Sequence, residues 1–464
     1  MKNMTLENIA KACSGIYYGP EENKNREVEG ISIDSRQIQK NWLFVATKGE
    51  RVDGHSFIPD VCKEGALCVI SEKKLAEADY TYILVKDSFQ ALKDIAAFYR
   101  EQMELVVIGI TGSVGKTSTK EMIAAVVSEK YNTLKTEGNF NNEVGVPLTI
   151  FRIRDSHQAA VVEMGISDFG EMHRLSKIVK PDLCVITNIG QCHLENLGDR
   201  DGVLRAKTEI FDYMKEDAPV ILNGDDDKLL EIRKKRKGLI YFSINQKESF
   251  PEEIFADKIE AKGIFGTDCR IHTPIGNMQV HISIPGEHMV NNALAATAVG
   301  LKLSLSLEEI KGGIEKAQAL PGRSHLILTE KYTILDDCYN ANPVSMKAAL
   351  KLLATTEGRR CAIIGSMFEL GEREKELHEE VGIYGVENRL DAIIAIGEMG
   401  RYIYEGALKR KEEGDFQTEL FYFETVGEFL EARQSILKKK DALLIKASHG
   451  MHFQTIVEEL SSEN

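Results

Sequence analysis

The sequence predicts an α/β protein with three domains in tandem. The length of 464 residues corresponds to about three domains at a prior of roughly 150 residues each. From residue 105 onward, short apolar runs alternate with helix-compatible segments, which is typical of βαβ units and a largely parallel sheet. A glycine-rich loop also lies between one such apolar run and a helix, where parallel sheets bind ligands. These three observations predict the fold class.

The composition is that of an ordinary globular protein, with 43% hydrophobic and 28% charged residues. A net charge of −14 argues against nucleic acid as a partner. Eight scattered cysteines without a C-x-x-C pair indicate a reducing compartment and no structural zinc. The N-terminus lacks a signal-peptide core, and no apolar run reaches the roughly 18 residues of a membrane span. We therefore expect a cytoplasmic protein without a membrane span. We also expect a monomer.

We place the domain boundaries at 1–102, 103–318 and 319–464. The first region combines short apolar runs with a closing helix, for which Ser88 is a candidate N-cap. In the second region, AAVVEMG, DLCVITNIG and PVILNGDDD have strand length and end in polar residues or glycine. The stretch 239–285 predicts an antiparallel excursion before the third α/β region.

The segment LVVIGITGSVGKTSTKEM has the order strand, glycine loop, Lys-Thr and helix that a phosphate-binding loop requires. Glycines allow successive N–H groups to face an anion, and the helix adds its positive N-terminal end. A lysine can contact the terminal phosphates and a threonine hydroxyl can bind magnesium. The alternative is a glycine turn with a surface lysine. We predict a nucleotide site that includes Gly112, Ser113, Gly115, Lys116, Thr117 and Ser118.

Several polar residues follow predicted strands, where the ligands of parallel sheets bind. Glu163 ends AAVVEMG and could hold magnesium, although it could also be a solvated glutamate. His193 follows the next strand, where a structural role is the alternative. Asn141 and Asn142 lie in a polar loop that suits either ligand contact or a turn. From its position alone, Lys207 on a predicted helix would be a solvated charge.

Taken with these flanking segments, the phosphate loop resembles the Mur ligase family of ATP-dependent amide-forming enzymes. The resemblance covers nearly the whole chain. It includes DSR and FVATKGERVDGHSFI in the first domain, and TEGNFNNEVGVPLT, NIGQCHLENLG, RAKTEIF and PGEHMVNNALAA in the second. In the last domain it includes PGRSH, DDCYNANPVSMKAAL and GSMFELGE. The family implies a uridine-nucleotide-binding N-terminal domain, a central ATP-binding domain and a C-terminal Rossmann-like domain.

The resemblance also implies roles for individual residues. Lys116 and Thr117 would hold the ATP phosphates and one magnesium ion, and Glu163 and His193 would bind magnesium. Lys207 matches a lysine that family members carry as a carbamate, which would support a second metal ion. Further nucleotide contacts are implied for Asn292, Arg323 and Asp337. Expected substrate contacts come from Ser35, Arg36, Asn141, Asn142, Tyr339 and Asn340.

YNANP together with DGH indicates the family members that add D-alanyl-D-alanine to UDP-N-acetylmuramoyl-tripeptide during peptidoglycan synthesis. Such an ADP-forming ligase proceeds through an acyl phosphate. Two alternatives stay open: a related ligase for another acid and amine, and a nucleotide-binding protein without catalytic activity. The third peptide residue, meso-diaminopimelate or lysine, also stays open. The chain departs from the family pattern at Asn41, usually glycine, at His449, often arginine, and in GSMFELGE.

Overall fold

The computed structural model describes residues 1–49, 52–75, 80–234, 236–244, 254–368 and 370–463. The chain has the predicted three-domain α/β fold, with its strands arranged in three sheets. Its residues cluster into two compact units, Met1–Ser243 with Ala295–Ile310 and Ile254–Leu294 with Lys311–Asn464. Within the described ranges, no helix is long and apolar enough to cross a membrane.

The first sheet has five strands in the order β1-β5-β4-β3-β2, and β1 alone among the paired strands runs antiparallel to its neighbour. Asp87 caps the third helix by accepting a hydrogen bond from the Gln90 backbone. The predicted cap, Ser88, is instead the first helical residue, and its hydroxyl donates to Glu72. The elements are β1 Ile16–Tyr18, β2 Ile31–Ser32, β3 Leu43–Val45, β4 Cys68–Ser71, β5 Tyr82–Leu84, α1 Leu6–Ala12, α2 Ile58–Lys63 and α3 Ser88–Glu101.

Six parallel strands follow in the order β11-β10-β9-β6-β8-β7. Strands β8, β9 and β10 are buried along their whole length, which explains their continuous apolar sequences. The elements are β6 Val106–Thr111, β7 Thr133–Lys135, β8 Ala159–Glu163, β9 Leu183–Ile186, β10 Val220–Asn223, β11 Leu239–Ile244, α4 Lys116–Ser128, α5 Gly145–Ile150, α6 Glu171–Val179, α7 Leu194–Leu197, α8 Arg200–Thr208 and α9 Asp227–Leu230.

The predicted antiparallel excursion begins later than expected. Strand β11, which we assigned to it, pairs in parallel with β10, with Val220 opposite Leu239. A helical crossover that includes α9 joins these two strands, and such a connection returns the chain in the same direction. The antiparallel pairs are formed by β12 Ile254–Ala261, β13 Thr267–Thr273 and β14 Gly276–Ile282. Helices α10 Met289–Lys302 and α11 Leu307–Lys316 come next.

The last sheet has six strands in the order β15-β16-β20-β17-β18-β19, parallel except for the β15–β16 hairpin. Apolar side chains from the sheet and its helices form two buried clusters. The elements are β15 His325–Leu328, β16 Tyr332–Asp336, β17 Arg360–Gly365, β18 Ala392–Ile396, β19 Glu419–Phe423, β20 Asp441–Lys446, α12 Pro343–Ala354, α13 Glu374–Glu387, α14 Gly400–Glu412, α15 Val426–Ile436 and α16 Gln454–Ser462.

Candidate active site

The glycine-rich loop joins β6 to α4, as the sequence predicts. Gly115 caps α4 with a φ of 82°, in the left-handed region that glycine adopts without strain. Gly112 has a φ of 146°, and a Cβ atom there would lie 2.0 Å from Oγ1 of Thr187. Both positions therefore need glycine, and the helix start presents its unpaired N–H groups to the loop. This geometry suits the binding of an anion such as a phosphate.

The segment that follows β9 supports this loop. The backbone N–H of Ser113 donates to the Asn188 carbonyl at 3.0 Å, and Ser113 Oγ accepts from the Gly190 N–H at 2.9 Å. Asn188 Oδ1 accepts from the Val114 N–H at 3.0 Å. The ammonium of Lys116 donates a hydrogen bond to the Gly112 carbonyl at 2.9 Å, so the lysine side chain lies over the loop. The segment carrying His193 and the glycine loop are thus one hydrogen-bonded assembly.

The side chains of Thr117 and Glu163 are in direct contact. Glu163 is 1% exposed at the end of β8, and its Oε1 accepts from Thr117 Oγ1 at 3.2 Å and from Asn141 Nδ2 at 2.8 Å. Among the described residues, Oε2 of Glu163 has no hydrogen-bond partner. A buried carboxylate oxygen without a partner beside a hydroxyl fits a hard divalent cation. Glu163 is therefore not the solvated glutamate of the alternative interpretation.

Lys207 is also buried, contrary to the expectation from its position alone. It is 1% exposed on α8, and the helix presents it inward together with Val203 and Ala206. Burial and the nearby cation of Lys116 lower the pKa of Lys207 to about 7. A large fraction of this amine is therefore unprotonated near neutral pH, and an unprotonated amine is nucleophilic.

His193 is exposed and is the N-cap residue of α7, with a φ of 52°. Its loop is held by the turn NGDDD. Asp226 caps α9 and accepts from the Ile189 N–H at 2.8 Å, while Arg200 donates to the Ile189 carbonyl at 2.8 Å. Across the residues that the structure describes, no three His, Cys, Asp or Glu side chains form a metal-binding group. Of the predicted metal ligands, the structure brings Thr117 and Glu163 together.

Four predicted residues meet in the second unit, at the carboxyl end of β16. Arg323 stacks its guanidinium 4.0 Å from the centre of the Tyr339 ring. Asp337 Oδ1 accepts from the Ser324 N–H, and its Oδ2 lies 2.5 Å from Nζ of Lys446. The same ammonium donates to the Asn340 carbonyl at 2.9 Å. Lys446 is 2% exposed, and sequence reasoning missed it even though a lysine that ends the apolar run DALLIK was a signal.

Other predicted residues have local roles in the structure. Asn142 Oδ1 accepts from the N–H groups of Val144 and Gly145, at the start of α5. Asn292 is buried in the first turn of α10. Ser35 and Ser118 are half-buried, whereas Arg36 is exposed and forms an ion pair with Asp34.

The positions at which the chain departs from the family pattern lie in different structural surroundings. Asn41 has a φ of 65°, which explains why glycine is usual there, and its amide bridges Glu29 and Arg26. His449 packs against the Tyr339 ring with centroids 5.3 Å apart. Part of GSMFELGE, Glu369, lies outside the described residues, as do residues 50 and 51 of FVATKGERVDGHSFI.

The parallel sheet, the glycine loop at a helix start and the Thr117–Glu163 pair define a P-loop nucleotide-binding protein. Three family matches refine this class. Residues 27–100 match the Mur ligase family catalytic domain, residues 110–300 the Mur ligase middle domain, and residues 322–449 the Mur ligase glutamate ligase domain. The chain belongs to the Mur ligase family.

Individual relatives match along almost the full chain. The UDP-N-acetylmuramoyl-tripeptide--D-alanyl-D-alanine ligase of Bacillus subtilis is 35% identical over 99% of both chains. The ligase of the same name from Escherichia coli is 35% identical over 87% of this chain and 88% of its own. A crystal structure of MurF from Acinetobacter baumannii aligns with a TM-score of 0.89 at 35% identity, covering 99% of both chains. MurF from Thermotoga maritima in complex with ADP aligns with a TM-score of 0.80 at 27% identity, covering 94% and 97%.

Proposed function

We propose that this chain is an ATP-dependent, ADP-forming ligase that joins D-alanyl-D-alanine to UDP-N-acetylmuramoyl-tripeptide in peptidoglycan precursor synthesis. The observation that carries the proposal is the likeness to the Bacillus subtilis ligase of this activity, 35% identity over 99% of both chains. Identity spread over the whole length includes the regions expected to hold the sugar nucleotide, ATP and the dipeptide. The ADP complex of the Thermotoga maritima relative supports an adenine nucleotide as a ligand of this chain, and the glycine loop is the site we propose for its phosphates.

In the proposed reaction, the γ-phosphate of ATP is transferred to the terminal carboxylate of the tripeptide, which yields ADP and an acyl phosphate. The amine of D-alanyl-D-alanine then attacks the acyl carbon, and the tetrahedral intermediate expels phosphate as the amide forms. Lys116 and the N–H groups of the glycine loop are suited to bind the transferring phosphoryl group. Positioning of the two substrates supplies much of the remaining acceleration.

We propose that Thr117 and Glu163 bind one magnesium ion beside the ATP phosphates, with His193 and a modified Lys207 at a second ion. When bound, these ions supply charge neutralisation for phosphoryl transfer. The unpartnered Oε2 of Glu163 and its contact with Thr117 support the first assignment.

The low pKa of Lys207 supports its carbamylation. The unprotonated, neutral amine forms a bond to the carbon of CO₂, one C–O π bond opens to give a carboxylate, and the nitrogen releases one proton to solvent, so a neutral amine becomes an anion. Such an anion beside Lys116 would reverse the repulsion that now lowers the pKa of the amine.

We propose domains at 1–102, 103–318 and 319–464, which the family matches at 27–100, 110–300 and 322–449 support. Asn292, Arg323 and Asp337 are proposed to contact the nucleotide. Tyr339 and Asn340 are proposed substrate contacts, as are Ser35, Arg36, Asn141 and Asn142. A cytoplasmic location is proposed because all eight cysteines are free.

The test is phosphate release from ATP by the purified chain with UDP-N-acetylmuramoyl-tripeptide, with and without D-alanyl-D-alanine. We expect sustained release only with both substrates, and a product heavier by the dipeptide in mass spectrometry. Both tripeptides, with meso-diaminopimelate or lysine, are supplied in parallel. ADP binding without release on either tripeptide would contradict this function, and release with another acid and amine would identify a different ligase.

A further inference from the structure

We infer that Lys120 is a positioning residue for the magnesium-binding carboxylate of Glu163. Its ammonium supplies positive charge beside this carboxylate without occupying the oxygen that would bind the ion. The inference rests on the proposed magnesium–nucleotide site and adds a residue to it. Lys120 lies on α4 within the segment LVVIGITGSVGKTSTKEM, but neither the predicted nucleotide-site residues nor the strand-end argument includes it.

The burial of Lys120 is the first observation. The side chain is 0% exposed, in a helix whose neighbouring inward residues, Met122 and Ile123, are apolar. A lysine is almost never fully buried unless it is paired, because transferring an ammonium ion out of water is costly. A fully buried lysine on the phosphate-binding helix therefore needs an electrostatic reason.

The contacts of Lys120 supply that reason. Nζ donates to the Thr136 carbonyl at 2.7 Å and lies 3.0 Å from Glu121 Oε1. Its distance to Oε2 of Glu163 is 3.9 Å, too long for a hydrogen bond but close for two buried charges. The ammonium is thus held back from Glu163 by two other acceptors.

Thr136 fixes the distance between the Lys120 ammonium and the Glu163 carboxylate. Its carbonyl accepts from Lys120, while its Oγ1 accepts from the Glu163 backbone N–H at 3.0 Å. Thr136 is itself 0% exposed at the end of β7. The same residue therefore fixes the lysine and the strand end that carries the carboxylate. Oε1 of Glu163 is held by Thr117 and Asn141, and Oε2 keeps its lone pairs.

The simpler explanation for the burial of Lys120 is its ion pair with Glu121. The surrounding charges argue that this pair alone does not account for it. Glu121 also forms an ion pair with Lys135, which is 43% exposed in its side chain. Glu121 thus has a second cation, whereas the ammonium nearest to the buried Glu163 among the described ion pairs is that of Lys120. Removing Lys120 leaves the buried carboxylate without this nearby positive charge, which favours its reorientation.

The experiment measures ADP binding by calorimetry as a function of Mg²⁺ concentration, without peptidoglycan precursors. In Lys120→Met we expect the half-saturating Mg²⁺ concentration to rise at least about 10-fold, as for other residues that orient metal ligands. ADP binding in EDTA should stay unchanged. Lys135→Met is the matched control, because it removes a lysine from the same cluster that does not reach Glu163; its Mg²⁺ dependence should equal that of the wild type.

Glu121→Gln tests the inference by a second route and serves if Lys120→Met does not fold. The lysine then loses the negative charge of its partner, because a glutamine amide oxygen is a weaker acceptor than a carboxylate. Its ammonium can close on Oε2 of Glu163, so Mg²⁺ must displace it and the half-saturating concentration should again rise. An unchanged or tighter Mg²⁺ dependence in the folded Lys120→Met or Glu121→Gln variant overturns the inference while leaving the proposed function intact. If ADP binding by the wild type does not depend on the Mg²⁺ concentration, both this inference and the proposed magnesium site are overturned.

Discussion

The hydroxyl of Thr117 donates a 3.2 Å hydrogen bond to Oε1 of Glu163, which joins the first turn of α4 to the end of the adjacent strand β8. One residue comes from the glycine-loop motif and the other from a strand 46 positions later. Their contact brings two residues that were predicted separately into one site, whose oxygen atoms suit a hard cation.

Substitution of Thr117 by alanine should lower kcat on the order of 100-fold, because the proposed magnesium ion loses a hydroxyl ligand at the transferring phosphate. Thr117→Ser keeps the hydroxyl and should retain most of the activity. Steady-state phosphate release at several Mg²⁺ concentrations checks both variants. Equal activity of the alanine and serine variants would exclude Thr117 as a ligand.

Activity should depend on Lys207 as a carbamate. Lys207→Ala is expected to be nearly inactive and to regain part of its activity with short carboxylates, which replace the missing anion. Lys207→Arg keeps a cation that does not react with CO₂, and it should show neither activity nor rescue. The assay is phosphate release in buffers with and without added carboxylate. Wild-type activity in Lys207→Ala would contradict the carbamate.

The low pKa of Lys207 also predicts how stability depends on pH in CO₂-free buffer. The folded pKa is about 7 and the ordinary value is 10.5, so between these values the unfolded chain binds one more proton than the folded chain. The free energy of unfolding should therefore rise with pH across this window, by up to about 1.4 kcal/mol per unit from this group.

Lys207→Met lacks this group and should lose that part of the slope. Chemical denaturation of the wild type and the variant at several pH values between about 7 and 10 measures the difference. Parallel pH profiles for the two proteins would show that the amine titrates normally in the folded state.

Replacing Gly112 by alanine should abolish ADP binding and lower the thermal stability. The added Cβ would lie 2.0 Å from Thr187 Oγ1, and the φ of 146° is unfavourable for a side chain. Gly427→Ala is a control, since its nearest atom within reach is a hydroxyl at 3.8 Å. Differential scanning fluorimetry with and without ADP compares the two variants. Retained ADP binding in Gly112→Ala would show that the loop adapts.

Removal of Lys446 should destabilise the second unit. Lys446→Met leaves Asp337 without its partner at 2.5 Å, and breaking a buried ion pair costs about 3–5 kcal/mol. The double variant Lys446→Met/Asp337→Asn removes both charges and should recover much of this loss. Thermal unfolding of the wild type, Lys446→Met, Asp337→Asn and the double variant forms the cycle. Additive losses in the double variant would mean that the two side chains do not interact energetically.

Much of the fold could be predicted from local patterns. The apolar runs that became β8, β9 and β10 are buried on both faces, so their sequences carry a strong signal. Strand β11 was misassigned because a short apolar run does not reveal the direction of its partner, which depends on the crossover through α9. Ser88 was chosen as a cap although Asp87 precedes it, and both residue types favour that position.

Some residues of the candidate site could also be predicted from local patterns, and others could not. The residues of the glycine loop could be identified because its glycines indicate the backbone conformation and its lysine indicates the positive charge that phosphate binding requires. Lys120 was missed, since a lysine on a predicted helix gives no indication that it will be buried, and Lys446 was missed although it ends the apolar run DALLIK. Asp226 holds the loop of His193 through a backbone contact 37 positions away, which no short motif indicates.

By itself, the sequence determined the α/β class, the order of the domains, the glycine loop and the family resemblance, because these depend on periodicity and short contiguous motifs. Tertiary structure decided the protonation of Lys207, the pairing of Thr117 with Glu163, and the placement of Lys120 behind that carboxylate. These properties depend on burial and on distances between charges from distant segments, because electrostatic energies change strongly when water is excluded.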